Sequence, residues 1–346
     1  MKIGILTAGG DCPGLNAAIR GVGKAAVLTY GMDVYGISSG FLGMIELEYR
    51  SLSELDLSGI LTLGGTILGT SREKPFKDQS YGEYIRSKPD IILDNYKKLG
   101  LDCLVCIGGN GTMKTASKLS DYGLNIIGIP KTIDNDVWGT ELSFGFDSAM
   151  MVATEALDRI HTTANSHKRI MVIEVMGHHA GWLALYSGIA GGGDLILIPE
   201  IPYDESVMCD YLTERNRQGK PYSIVVVAEG IDFPKKKKKK KSAANYIAKM
   251  IQEETGMPTR ETILGYIQRG GSPTAADRIL ATRFGAQAAD FASRGEFGVM
   301  VALHDQHVEA VPLSEVAGKL KLVPGDLPLL RKARALGTCF GDTLST

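Results

Sequence analysis

Asp134 and Asp136 stand two residues apart in the segment 130–136, Pro-Lys-Thr-Ile-Asp-Asn-Asp, directly after an apolar run. In a phosphoryl transfer such a pair divides the work: one carboxylate takes a hydroxyl proton while the other reaches the shell of a Mg²⁺ ion. Two glycine-rich stretches supply the complementary half of that chemistry. Residues 8–14 (AGGDCPG) follow the apolar run 2–6, and residues 108–112 (GGNGT) follow the run 103–107. A glycine-rich turn that opens a helix presents free N–H groups and the positive end of the helix dipole, which suits a phosphate. Arg72, Arg169, Arg260 and Arg269 lie in or beside strand-end loops, and the planar guanidinium fork binds phosphate oxygens in pairs. Any one of these features would also suit an ordinary strand-to-helix turn, a helix cap or a surface ion pair. Two glycine-rich turns followed by a carboxylate pair within one half of the chain favour chemistry. Neither turn is a Walker A motif or a G-x-G-x-x-G fingerprint, so nicotinamide-dependent redox has no support.

Positioning these loops falls to an alternation of short β-branched runs and longer amphipathic stretches. Strands are expected over 2–6, 103–107, 125–129, 169–175, 195–198 and 223–228. Helical patterns occupy 13–28, 81–99, 113–121, 149–162 and 243–254. Near the end, 262–265 leads into the loop 266–273, with a helix following. This βαβα order predicts an α/β fold of mainly parallel sheets covered by helices. Ligands in such sheets bind beyond the carboxyl ends of the strands, which is where the chemistry-bearing loops fall. The 346 residues are long for one hydrophobic core and predict two lobes.

Composition excludes several classes. Hydrophobic residues at 44% and charged residues at 22% rule out a disordered chain. A net charge of -1 leaves no global pull toward nucleic acid or a membrane surface. No window approaches the ~18 apolar residues of a membrane span, and the strand pattern at residue 2 leaves no room for a signal peptide. The five cysteines are scattered; Cys103 and Cys106 sit in one apolar run, where strand geometry turns them to opposite faces. They are expected in the core of a protein from a reducing cytoplasm. The seven lysines at 235–241 are expected to form a solvated loop rather than a nucleic-acid contact.

Five segments then carry a likeness. Residues 9–20 (GGDCPGLNAAIR), 64–72 (GGTILGTSR), 131–136 (KTIDND), 174–177 (EVMG) and 265–273 (GYIQRGGSP) closely resemble, in order, the motifs of the 6-phosphofructokinase family. The resemblance implies a phosphofructokinase-like, Rossmann-like pair of lobes with the active site in the cleft between them. It assigns 1–145 plus about 265–315 to an ATP-binding lobe, and about 146–264 plus 316–346 to a sugar-phosphate lobe. The implied reaction is Mg²⁺-dependent transfer of the terminal phosphate of ATP to the 1-hydroxyl of fructose 6-phosphate. By resemblance Asp134 is the general base, and Asn110 and Asp136 lie near the metal. Thr132, Ile133, Met176, Gly177, His178, Glu229 and Tyr266 line the sugar phosphate. Arg169, Arg260 and Arg269 clamp its 6-phosphate, the first two reaching from a neighbouring subunit of a homotetramer or homodimer. Gly10, Arg72, Glu73, Gly109, Asn110, Gly111 and Thr112 form the nucleotide site.

Two positions track the phosphoryl donor in that family, and this chain mixes them: Gly111 as in forms that use ATP, Lys131 as in forms that use pyrophosphate. Gly111 decides for ATP on steric grounds, since a side chain there would intrude on the α-phosphate and nucleoside. Pyrophosphate as donor is the alternative, as is a regulatory subunit with poor turnover or a kinase of a related sugar phosphate such as sedoheptulose 7-phosphate. Asn110, His178 and Tyr266 depart from the commoner bacterial residues at their positions, which are acidic, Arg and His. Adjacent His178 and His179 diverge and offer no metal-ligand spacing. Arg20 and Lys24 match two effector-site positions by charge, whereas His161 and Asp194 do not.

Overall fold

The computed structural model describes residues 1–77, 80–81, 86–233 and 242–343, so the lysine run at 235–241 lies outside the described residues. The strands are β1 (Lys2–Thr7), β2 (Asp33–Ile37), β3 (Tyr49–Ser51), β4 (Ser80–Tyr81), β5 (Arg86–Ser87), β6 (Cys103–Gly108) and β7 (Ile126–Pro130). They continue as β8 (Ile170–Val175), β9 (Leu195–Leu197), β10 (Ser223–Ala228), β11 (Thr259–Ile263), β12 (Val299–His304) and β13 (His307–Pro312). The chain divides into two compact units, Met1–Ser148 with Arg269–Lys321, and Ala149–Gln268 with Leu322–Thr346.

The first unit is built on a sheet of order β13-β12-β7-β6-β1-β2-β3. Pairing is parallel from β12 through β2, and only the two edge strands run antiparallel. From β1 the chain steps outward to β2, then returns to place β6 and β7 on the other side. That reversal puts the loops after β1 and β6 side by side, at the point where open α/β sheets form their binding crevice. All six residues of β6 are buried, as expected for a strand covered on both faces. Its neighbours in the core include Leu6, Ile37, Met113, Leu119, Ile126 and Met300.

In the second unit the sheet order is β11-β8-β10-β9, all parallel. The carboxyl ends of β8, β10 and β11 are therefore neighbours. The α/β architecture of parallel sheets flanked by helices agrees with the alternation read from sequence.

Helix boundaries differ from expectation where local chemistry overrides periodicity. The helix expected over 81–99 begins at Lys88, because Ser87 caps it by accepting the Asp90 N–H and Pro89 occupies its first turn. Upstream, β4 and β5 pair antiparallel. The helix expected from 113 starts at Asn110, inside the glycine turn itself. The stretch expected as helix over 13–28 is Leu15–Lys24, continued by a π turn over Ala25–Thr29.

Helix Leu15–Lys24 packs along helix Ala275–Ser293 at backbone contact. A Cβ added to Gly21 would lie 2.8 Å from the Thr282 carbonyl oxygen, and one on Gly285 would lie 2.5 Å from that of Ala18. Close approach, rather than turn geometry, accounts for these two glycines.

Cys12, Cys103 and Cys106 are buried while Cys209 and Cys339 are partly exposed. Burial raises all five thiols, Cys12 up to about 12 and Cys209 up to about 11, so access to reagent rather than acidity separates the two groups. A thiol reagent in native buffer at pH 8 is accordingly expected to label Cys209 and Cys339 alone, and all five cysteines in denaturant. Rapid native labelling of Cys12, Cys103 or Cys106, read by mass spectrometry, would contradict this core.

Candidate active site

In the first unit, main-chain hydrogen bonds draw together the loops that leave β1, β6 and β7. Ala8 N–H donates to Ile107 O (3.0 Å), and Lys131 N–H donates to Gly108 O (2.9 Å). The 64–72 segment joins them: Gly9 N–H donates to Ser71 O (2.9 Å) and Thr70 Oγ1 to Gly9 O (2.7 Å). Asn16 secures that segment from helix Leu15–Lys24, its amide donating to the carbonyls of Leu63 and Gly64 and accepting from Ile67 N–H. Asn16 lies within the 9–20 segment, and nothing in its residue type or spacing signals this role.

The N-terminus of helix Asn110–Asp121 opens at Gly109, with Thr112 N–H turned onto Gly109 O (2.9 Å). Gly109 sits against Lys131 O, at 3.4 Å from where its Cβ would be. Gly111 is exposed, and a Cβ there would meet nothing within 4 Å. Arg72 is exposed at the mouth of this group, while Glu73 pairs with Lys88 at 2.9 Å.

The 131–136 turn is buried except at Asp134. Thr132 Oγ1 accepts the Asp134 N–H at 3.1 Å, an ST turn that sets the aspartate's backbone. Ile133 is fully buried and anchors the turn from below. Lys131 donates its ammonium to Gly10 O, which ties this turn to the first glycine loop. Burial holds the Lys131 pKa below the ordinary lysine range. Arg269 also reaches that loop. Its Nη1 donates to Asp11 O (3.1 Å), its guanidinium lies where a Gly10 Cβ would be, and its Nε is buried with no hydrogen-bond partner.

Asn110 Nδ2 donates to Asp136 O (3.1 Å), leaving Asn110 Oδ1 buried with no hydrogen-bond partner. Burial raises the Asp136 carboxyl above its usual range, opposed by the Asn110 amide and by Lys321. An unpartnered acceptor beside a buried carboxylate fits a hard, oxygen-seeking cation such as Mg²⁺. Among the described residues no cluster of three or more His, Cys, Asp or Glu surrounds it, so most of the coordination would come from phosphate and water.

In the second unit a cavity of about 190 Å³ opens at the carboxyl end of the sheet. It is lined by Glu174, Val175 and Met176 from β8 and its loop, Glu229 after β10, and Ile263, Gly265 and Tyr266 at and after β11. Gly177 follows Met176 at φ 144°, and His178 at φ 52° turns its N–H onto Glu229 Oε1 (2.9 Å). Gln268 is buried under the cavity, accepting from Met176 N–H (3.3 Å) and donating to Gly265 O (3.0 Å). Tyr266 is 75% exposed.

Arg169 and Arg260 are elsewhere. Arg169 precedes β8, and Arg260 pairs in register with Met171 near the amino end of that strand. Five residue steps lead from Met171 to Met176, roughly 17 Å at the usual strand rise. One chain thus assembles Met176, Gly177, His178, Glu229 and Tyr266 without these two arginines. The residues at effector-like positions are engaged within the fold: Lys24 pairs with Glu54, His161 meets Gly191 O at 2.7 Å, and Asp194 pairs with Arg215 at 2.6 Å.

Residues 2–292 match the family model described as Phosphofructokinase. The chain belongs to the phosphofructokinase family. ATP-dependent 6-phosphofructokinase 3 of Bacteroides thetaiotaomicron is 59% identical, over 99% of this chain and 100% of its own length. ATP-dependent 6-phosphofructokinase of Spirochaeta thermophila is 60% identical, over 98% of this chain and 97% of its own. Among solved structures, phosphofructokinase of Saccharomyces cerevisiae is 33% identical with TM-score 0.79; 91% of this chain spans 45% of that longer one. A pyrophosphate-dependent phosphofructokinase of Nitrosospira multiformis, 23% identical, shares the fold with TM-score 0.84 over 99% of this chain and 92% of its own.

The junction of loops depends on Gly14, which caps helix Leu15–Lys24 at φ 102° with Phe144 Cδ2 2.8 Å from its would-be Cβ. Gly14→Ala combines left-handed strain with overpacking and should destabilise the protein by about 1–3 kcal/mol. Urea denaturation checks this; an unchanged midpoint would contradict the packing described.

Proposed function

We propose that this chain is an ATP-dependent 6-phosphofructokinase, transferring the terminal phosphate of ATP to the 1-hydroxyl of fructose 6-phosphate. The observation that carries the reading is the 131–136 turn: five residues buried and clamped, with Asp134 presented beside two helix-opening glycine loops. The names of its full-length relatives support the same reaction. The first unit, Met1–Ser148 with Arg269–Lys321, is then the nucleotide-binding lobe, and the second binds the sugar phosphate.

In this reading Asp134 accepts the proton of the acceptor hydroxyl as its oxygen bonds to the γ-phosphorus of ATP and the bond from that phosphorus to the departing ADP breaks. Thr132 and Ile133 hold the carboxylate's backbone in place, so little reorganisation is needed at the moment of transfer. The N–H groups at Gly109–Thr112 and the loop at Gly10 receive the donor phosphates, with Arg72 and Glu73 at the edge of the nucleotide site. Asp136 and Asn110 Oδ1 would hold Mg²⁺ here, where it would neutralise charge on the transferring phosphate. On the sugar side, Met176, Gly177, His178 and Tyr266 shape the pocket, and Glu229 accepts from sugar hydroxyls. Arg269 is assigned to the 6-phosphate.

Gly111 supports a nucleotide donor, because its exposed face leaves room that a side chain would take. We assign ATP on this ground, with Lys131 serving the site by holding Gly10. The distance of Arg169 and Arg260 from Met176 supports a homo-oligomer, tetramer or dimer, in which a neighbouring chain supplies them. No described helix is long and apolar enough to cross a membrane, and five free thiols suit a reducing cytoplasm.

Purified protein with fructose 6-phosphate and Mg²⁺ should form fructose 1,6-bisphosphate with ATP and little with pyrophosphate. The reverse preference, or no product, would overturn the assignment. Asp134→Ser should lower kcat by about 10²–10⁴-fold with a smaller change in sugar-phosphate KM. Gly111→Asp should depress turnover with ATP selectively. Mixing the separately impaired Asp134→Ser and Arg260→Ala chains under subunit exchange should restore activity above the sum of the two. Strict additivity would argue that each site is complete within one chain.

A further inference from the structure

Lys321 belongs to none of the motifs and is separated from Asn135 by 186 positions in sequence. It nevertheless laces the loop that carries both aspartates. Its ammonium lies 2.9 Å from Asn135 Oδ1, 2.9 Å from Thr140 O and 2.7 Å from Glu141 O. Its own N–H donates to Asp136 O at 2.9 Å, and the preceding Leu320 forms an antiparallel bridge with Val137. One residue and its neighbour therefore fasten positions 135, 136, 137, 140 and 141 together. An ammonium has three hydrogens, and here three oxygens from three different residues receive them.

Asn135 is the keystone of this arrangement. It stands between Asp134 and Asp136 at φ 49°, a left-handed conformation that asparagine tolerates better than other side chains. Its Oδ1 accepts both from Lys321 and from Ser143 N–H (3.1 Å), and Ser143 Oγ donates back to Thr132 O (3.0 Å). The left-handed residue is thus held from two sides. The direction of its backbone decides where the flanking carboxylates are presented. A neutral side chain at 321 would leave the buried Thr140 and Asn135 oxygens without this charge-assisted donor. The loop would then relax toward an unstrained turn.

We infer that Lys321 is a positioning residue, whose ammonium locks Asn135 in its left-handed conformation so that Asp134 and Asp136 hold their catalytic directions. The inference rests on the reading of Asp134 as the base. Lys321 touches no substrate and acts through Asn135. Its loss is therefore felt in turnover more than in binding of the sugar phosphate.

The test compares the full-length parent with Lys321→Met, which keeps the stem and removes the charge, and Lys321→Ala, which leaves a space. Lys321→Met should lower kcat by about 10²-fold, the order that a displaced catalytic group costs. KM for fructose 6-phosphate should stay within about threefold of the parent. Ethylammonium added to Lys321→Ala should recover part of kcat, whereas the neutral propanol, of similar size, should not. If Lys321→Met cannot be obtained folded, Lys321→Gln is read in its place with the same expectation. A folded charge-free variant with near-parent kcat would overturn the positioning role. So would a loss confined to KM, or a Lys321→Ala defect indifferent to ethylammonium. A parent that makes no bisphosphate overturns the proposed reaction instead, so the two failures are distinguishable.

Discussion

A buried ammonium has to be met by oxygen, and the first unit is arranged around that requirement. Lys131 is 4% exposed and seats its charge on the carbonyl of Gly10. Carbonyls lose little by such a contact, whereas an unmatched charge in this environment would be expelled or neutralised. The contact makes the loop after β7 and the loop after β1 dependent on each other. Everything placed on them, from the glycine turn to Asp134, inherits a shared frame.

The same logic is applied twice within one loop. Lys321 is 186 positions from Asn135, yet burial makes it seek the oxygens of the 135–141 segment. Its pKa is pushed down to about 7 by that burial, against the pull of Asp136 and Glu141. Two lysines, one at each side of the turn, thus replace regular secondary structure as the support of an irregular segment. Six consecutive residues without a ladder of their own need such fixed points if two carboxylates are to keep their directions.

Much of this was legible from residue order. The β-branched runs that became β1, β6, β7, β8 and β10 were recognisable because buried parallel strands read as nearly continuous apolar runs, with Glu174 the interruption in β8. Loops rich in glycine after those runs marked the crevice for the same reason. The strand β2 (DVYGI) carries a weak signal, being short and broken by Gly36, and weak periodicity masks the start of the helix at Lys88. Ser87 and Pro89 were the available signals there. Nothing local could reveal Lys321, because its partners are assembled only when β12 and the following segment return to the sheet. The separation of Arg260 from Met176 was equally hidden, because strand register places it at the far end, whereas Arg169 opens the same expected strand that ends just before Met176.

The meeting of Gly21 with Gly285 has a consequence for how this protein can change over time. The helix that begins at Leu15 carries one glycine loop on its front end, and the helix that begins at Ala275 follows directly on the segment of Arg269. With no side chain between them, the two rods share one seam, and neither can drift without the other. A methyl group inserted there would shift a loop about two helical turns away while altering no residue that meets a reactant. Variants inactivated by such a wedge would retain every recognisable motif, and a catalogue of conserved signatures would pass them as functional.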